Sequence, residues 1–371
     1  MVFSVDNDDG SWSVVEKIKQ SPPIDLTKPY DTASLAGKTI LITGGASGFG
    51  AAFARHWAAH GSHIIIGDVN DAAGEELVAE LRSSSSSSKT QHFYYQHCDV
   101  TSWEQQVSLF KFAVQASPTG GIDGVVAGAG IVDLGNEFDT PRRLDVDSPP
   151  PPPLKVINVN VMGVMYTTHL ALYYLPRNGT RSGTDQQTKD RHILLVSSIA
   201  GLAPLAGQTE YCASKHAVMG LFRSLRGTSW RRGVRVNVIN PYFVDTALLP
   251  NAGLALLAGA PRGELKDVVD AATRLMADEE VVGRALVIGP KMRVVDGDDG
   301  EPRLVEDGAA PENARQQAVW EIYGHDYARV DVFVYRYIAM LNVMKNAMGL
   351  MSTVKDLWGI YVTGKKAAPK K

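Results

Sequence analysis

The chain has 371 residues, 44% of them hydrophobic and 21% charged, with a net charge of -3. This composition is that of a globular chain, and the near balance of charge argues against a nucleic-acid partner or an anionic surface. Two cysteines, Cys98 and Cys212, are too few for a disulfide framework and suit a reducing, cytoplasmic setting.

In chain order, residues 1–36 read as an N-terminal extension. Asp6, Asp8 and Asp9 exclude a secretory signal there, and Ser21-Pro22-Pro23 and Lys28-Pro29 suit an ordered wrap or a loose arm. A strand over 38–43 runs into Gly44-Gly45-Ala46-Ser47-Gly48-Phe49-Gly50 and then a helix ending at Gly61, with Phe53 and Trp57 on one face. Strand, glycine turn and helix start together form a pyrophosphate site, because the backbone approaches closely and the first helical N–H groups face the anion. Gly44, Ser47, Gly48, Phe49 and Gly50 are the candidate contacts. The second strand, His63 to Gly67, is followed by Asp68, placed to accept hydrogen bonds from an adenosine ribose and to repel a 2′-phosphate. This favours NAD over NADP.

A helix over 72–81 leads into the serine run Ser83 to Ser88, read as a solvent loop, and a third strand over 92–96 precedes Cys98-Asp99-Val100. Ser102 with Gln105 suggests a capping box. The fourth strand, over 122–126, ends in Ala127-Gly128-Ala129-Gly130, where small residues leave room for a ring system. Pro149 to Pro153 mark a surface insertion, and a helix over 156–175 carries Asn158 and Asn160. A fifth strand over 193–196 delivers Ser197 and Ser198 at the edge where open α/β sheets bind ligands. Tyr211 and Lys215 share one face of the next helix. A sixth strand over 234–239 and a short seventh over 285–288 complete a Rossmann-type, doubly wound parallel sheet of about seven strands, an α/β fold with N- and C-terminal extensions. His56 and His60 are spaced like metal ligands, but no glutamate follows His56, and no metal site is expected.

With these residues in hand, the chain resembles the short-chain dehydrogenase/reductase family over roughly residues 37–290. The Thr43 to Gly50 turn, Asp68, Asp99-Val100, Asn160, Ser198, Tyr211-x-x-x-Lys215 and Pro241 to Thr246 occur in the family's order, with Ser198 thirteen residues before Tyr211. Two motifs depart from the family: Asn-Asn-Ala-Gly becomes Ala127-Gly128-Ala129-Gly130, and Pro-Gly becomes Pro241-Tyr242. The segment 241–248 looks most like the NAD-dependent 15-hydroxyprostaglandin dehydrogenase branch, whose fungal members serve secondary metabolism. The resemblance implies hydride exchange between NAD and a hydrophobic secondary alcohol or ketone, by a homo-dimer or homo-tetramer. By resemblance Tyr211 is the acid/base and Lys215 lowers its pKa while holding the ribose. Ser198 binds the substrate oxygen, and Asn160, favoured over Asn158 because Gly163 follows at the family's offset, positions a water. Asp99, Val100, Gly128, Pro241, Val244 and Thr246 join the cofactor contacts. An NADPH-dependent ketone reductase is the enzymatic alternative, and a non-catalytic dinucleotide-binding protein the other. The intact Ser198, Tyr211 and Lys215 argue against the latter.

Beyond the resemblance, 291–313 read as an acidic, glycine-rich linker and 330–350 as a helix of a C-terminal extension over 291–371. That helix packs on the body or on a second subunit, or it lies on a membrane surface beside Lys365, Lys366, Lys370 and Lys371. Apolar residues such as Leu248, Leu249, Leu254 and Leu256 mark a substrate lid near residues 243–280.

Overall fold

The first strand, β1 (Thr39–Thr43), is buried along its whole length and flanked by parallel neighbours on both edges. The structure is a computed structural model that describes residues 18–84, 91–132, 150–178, 190–203, 205–246, 259–297, 302–305 and 313–323, with single positions at 138, 147, 148, 311, 337, 340, 343, 344 and 358. Outside these lie most of the serine run, Pro149, the acidic cluster at Asp298, Asp299 and Glu301, the lid leucines at 248–256, the terminal lysines and all but single positions of the expected C-terminal helix. The chain divides into two units, Gln20–Gly324 and Met1–Lys19 with His325–Lys371. Everything below concerns the first.

Strands β2 (His63–Asp68), β3 (Phe93–His97), β4 (Gly124–Ala127), β5 (His192–Val196), β6 (Arg235–Pro241) and β7 (Ala285–Asp296) join β1 in the order β3-β2-β1-β4-β5-β6-β7, all parallel. The order reverses between β1 and β4, which opens a crevice above their carboxyl ends. Helices α1 (Gly48–Ala59), α2 (Asp71–Ser84), α3 (Trp103–Ala116), α4 (Val164–Tyr174), α5 (Thr209–Leu225) and α6 (Leu265–Ala277) cover both faces. Alternation along β1 shows why: Ile40 and Ile42 join Phe53, Trp57 and Leu275 on one side, and Leu41 joins Phe110, Val125 and Phe222 on the other. Trp57 also donates its indole N–H to Thr273 of α6 at 2.9 Å. Among the described residues, no helix is long and apolar enough to cross a membrane.

Two features differ from the sequence reading, and one of its open alternatives is decided. The span 243–280, read as lid, contains α6, whose Val268, Ala271, Ala272, Leu275 and Met276 repeat at helical spacing and are fully buried. The short seventh strand runs on to Asp296, and β8 (Pro302–Leu304) and β9 (Arg315–Ile322) pair with it antiparallel, so part of the expected linker is sheet. Residues 20–36 form the ordered wrap: Tyr30 donates to Asp270 at 2.9 Å, Ser34 to the Ala277 carbonyl at 2.5 Å, and Glu321 of β9 accepts from the Ile24 N–H at 2.6 Å.

At the amino edge, Arg235 donates to both oxygens of Asp190 (2.6 and 2.7 Å) and to the Leu275 and Met276 carbonyls at the end of α6 (2.5 and 2.9 Å). Lys38 reaches Asp190 at 2.9 Å, and all three side chains are buried. Burial alone would raise the Asp190 pKa, but Arg235 and then Lys38 outweigh it and hold the carboxyl well below its ordinary range. The stabilisation is therefore present above the unfolded value, about 3.9, and is lost as pH falls below it. Removing one partner strands buried charge. Asp190→Asn should cost about 3–5 kcal/mol, read as a lower urea midpoint at pH 7 with an unchanged slope.

Candidate active site

The turn after β1 is built for close backbone approach. Gly44 has a φ of 68°, and a Cβ on Gly50 would lie 2.3 Å from the Gly44 carbonyl oxygen. Ser47, the residue before α1, makes no side-chain capping bond, which leaves the first-turn N–H groups for an outside acceptor. Gly48 faces the cleft, with Thr246 the nearest neighbour of a would-be Cβ, at 3.9 Å. Phe49 instead stacks on Phe53 at 6.4 Å and leans on the core. Asp68 accepts from the Ala46 N–H (3.0 Å) and the Asn70 N–H (3.1 Å), which ties the turn to the end of β2. A carboxylate has about four acceptor positions, so capacity remains for two ribose hydroxyls.

Asp99 accepts from the Thr101 N–H and hydroxyl at 2.9 and 2.8 Å, and Gln105 accepts from the Asp99 N–H at 2.7 Å. Ser102 caps α3 through the Gln105 N–H at 3.3 Å; Gln105 thus reaches one turn further back than a closed capping box requires. Val100 packs where a side chain on Gly163 would stand, 2.7 Å from its Cγ2. After β4, the Thr43 hydroxyl donates to the Val126 carbonyl and accepts from the Gly128 N–H, at 3.2 and 3.3 Å. It braces the chain where the two family amides are missing. Pro241 ends β6 beside the site, whereas the Val244 side chain lies in the core and can offer only backbone.

Asn160 is fully buried in a π-helical turn, Asn158–Gly163, that leads into α4, while Asn158 is exposed. Its amide is spoken for: Oδ1 accepts from the Ile131 N–H at 2.8 Å, and Nδ2 donates to the Ile131 carbonyl and the Ser214 hydroxyl at 2.9 and 3.1 Å. Ser214 in turn donates to the Tyr211 carbonyl at 2.7 Å. The Lys215 Nζ donates to the Val196 carbonyl at 3.2 Å and sits 5.6 Å from the centroid of the Tyr211 ring. Ser198 hydrogen-bonds the Tyr211 hydroxyl, and Ser197 donates to the Lys215 carbonyl at 3.1 Å. A Cβ on Gly130 would lie 3.4 Å from Asn160 Oδ1 and 3.6 Å from Lys215 Nζ, so the glycine keeps the space between them open. The expected four side chains thus meet beyond the carboxyl ends of β4 and β5. Thr43 opens the turn motif but had no role assigned to it, and Ser214 was missed as a site residue. Ser214 had a signal, lying at helical spacing one turn after Tyr211, where a serine bonds back to the preceding turn.

The Tyr211 pKa is raised, because burial outweighs the Ser198 hydrogen bond and Cys212 adds to the rise. Burial likewise pulls Lys215 down, to about 8. The ammonium points at a backbone carbonyl, so the polypeptide alone holds the phenol protonated. Open helical N–H groups, an acidic strand end, the Gly130 space and a buried lysine together fit a dinucleotide. Among the described residues, no group of three or more metal-binding side chains occurs.

Ser214→Ala leaves the buried Asn160 amide short of an acceptor. The loss should be about 1–3 kcal/mol by urea denaturation, and Ser214→Thr should restore part of it.

Residues 38–255 match the family model for short chain dehydrogenases. The chain is 38% identical over 307 residues to a 5′-hydroxyaverantin dehydrogenase of Dothistroma septosporum, covering 78% of this chain and 95% of that one. It is 34% identical over 216 residues to mouse 15-hydroxyprostaglandin dehydrogenase [NAD(+)], covering 57% of this chain and 70% of that one. Two other fungal relatives, at 29% and 28% identity, are named NADP-dependent dehydrogenases. Levodione reductase shares the fold, with a TM-score of 0.57 at 23% identity over 68% of this chain and 96% of that one. The chain belongs to the short-chain dehydrogenase family, NAD(P)-binding oxidoreductases of the CH–OH group.

Proposed function

We propose that this protein interconverts a hydrophobic secondary alcohol and its ketone with NAD, in the manner of the fungal secondary-metabolism dehydrogenases it matches. The observation that carries this reading is the convergence of Asn160, Ser198, Tyr211 and Lys215, each wholly or largely buried, beside an open helix N-terminus. The nucleotide would supply the carbon that accepts or returns a hydride. Ser47 to Gly50 would hold its pyrophosphate, Asp68 and Lys215 its riboses, and the Gly128 to Gly130 backbone would lie under its ring. Ser198 and Tyr211 would grip the substrate oxygen, and Tyr211 would move the proton there. Asn160 would act through the loop it fixes at Ile131, since its amide has no donor left for a water.

Asp68 supports NAD, as no basic side chain stands in the Gly44 to Gly50 turn or directly after β2 to meet a 2′-phosphate. The relatives named NADP-dependent favour the other reading, a reductase using NADPH. Fluorescence titration decides between them: NADH should bind at least about tenfold tighter than NADPH, and Asp68→Ala should shrink the ratio. A second copy fits the exposed Met162 of the π-helical turn with Met165 and Tyr173 of α4, next to the Trp103–Tyr166 ring contact. Two free cysteines accord with a cytoplasmic location.

Tyr211→Phe should retain nucleotide binding and lose about 100-fold or more in turnover. The raised phenol pKa fixes the sign of the pH dependence. Reduction, which needs the protonated phenol, should hold from pH 6 to 8, while oxidation, which needs the phenolate, should climb across the same range. Initial rates in both directions across this range check both statements.

A further inference from the structure

The carboxyl edge continues past the family core in an unusual way. Strand β7 pairs with β6 only over Ala285–Ile288, yet it runs eight residues further to Asp296. Strand β9 lies along the other edge of β7 from Ala285 to Val294. Strand β8 pairs with Val294, Val295 and Asp296. Because β9 already takes one edge at Val294, β8 must lie on the edge that β6 occupies lower down. Between them, from Gly289 to Met292, that inner edge has no strand beside it among the described residues, and the β7–β9 register shifts there.

This gap opens directly above β6. The Tyr242 N–H donates to the Ile288 carbonyl at 2.7 Å, so Tyr242 stands next to Gly289. Gly289 is buried, yet among the described residues a Cβ on it would meet nothing within 4 Å. Its φ is not in the left-handed region, so no conformational need explains a glycine at this place. What remains, among the described residues, is space. The Phe243 ring meets Tyr242 edge to face at 4.9 Å, the Phe243 carbonyl accepts from the Gly263 N–H at 2.9 Å, and Val244 bridges Gly263. The neighbouring strand ends in the reacting groups: the Ser197 N–H bonds to the Ile239 carbonyl at 2.9 Å, which sets Ser198 beside Pro241.

We propose that this gap receives the larger substituent of the carbinol carbon, and that it selects a flat apolar group, an aryl ring, lying between the Tyr242 ring and the Gly289 backbone. Glycine within a strand commonly marks such close approach, and a ring offered to Tyr242 and Phe243 gains face and edge contacts that a puckered ring cannot. The inference rests on the dehydrogenase reading above.

The test uses the full-length protein with NAD and three alcohols: 1-phenylethanol, 1-cyclohexylethanol and 2-butanol. Wild type should favour 1-phenylethanol over both by kcat/KM. Gly289→Leu fills the gap and should lower the phenylethanol-to-butanol ratio at least about tenfold, through KM. Tyr242→Gly should lower the phenyl-to-cyclohexyl ratio several-fold, and it decides the matter if the leucine variant does not fold. A flat wild-type preference, or ratios unmoved in folded variants, would overturn the subsite while leaving the dehydrogenase intact. Wild type that binds NADH but oxidises none of the three and reduces none of the matching ketones would overturn the dehydrogenase reading, and the subsite with it.

Discussion

One buried amide joins the two halves of the site. The Asn160 side chain closes a two-bond bracket on Ile131, just after the fourth strand, and its remaining N–H goes to Ser214 on the helix that carries Tyr211 and Lys215. It ties the glycine-rich segment after β4 to the Tyr-Lys helix by directed hydrogen bonds as well as by packing. A hydrogen bond in a water-free interior has little competition, and a broken one costs the full desolvation of the group left behind. The local π-turn makes this reach available, because the extra residue in the turn rotates Asn160 away from the regular helix face. Such turns recur at functional sites for this reason.

Burial sets the resting protonation state of the site. It acts on Tyr211 and Lys215 in opposite senses, raising the phenol and lowering the ammonium, so each is driven toward its neutral form. A phenol held protonated beside a serine hydroxyl is a ready hydrogen-bond donor for a carbonyl oxygen. The opposite edge of the sheet obeys a different rule. There the Asp190 carboxyl stays charged because Arg235 and Lys38 lie against it, and Arg235 also satisfies the last carbonyls of α6. Strongly paired charge sits at the amino edge of the sheet, and weakly paired groups sit at the candidate site.

Much of this was legible from residue order alone. Continuous apolar runs such as Ile64-Ile65-Ile66 mark strands buried on both faces, and the glycine turn after β1 fixes where an anion would lie. Ser198, Tyr211 and Lys215 have fixed offsets on a strand end and one helix, so their meeting follows from the topology. What could not be read has physical causes. Helix α6 follows a stretch without strong capping signals, since Glu264 makes no capping bond and bonds Lys266 and Lys291 instead. Strand β8 is three residues of mixed polarity, with no pattern to mark it. The sign of the Tyr211 shift depends on how deeply the helix start is covered, a tertiary quantity that a four-residue spacing does not carry.

The long seventh strand shows how an extension can become part of a site. A parallel sheet ending at Ile288 would leave a bare edge, the usual place for unwanted strand pairing. Strand β9 covers that edge, and the buried Arg284–Glu321 pair, at 3.0 Å, locks it, with Glu321 also holding the N-terminal arm at Ile24. Once β9 is fixed, β7 has a partner that carries it beyond the end of β6, and β8 folds back on the only edge left. The gap at Gly289 is then a geometric consequence of two partners of unequal length. Edge protection thus carries the sheet past the end of β6, and the room beside Gly289 among the described residues is set by a single missing side chain.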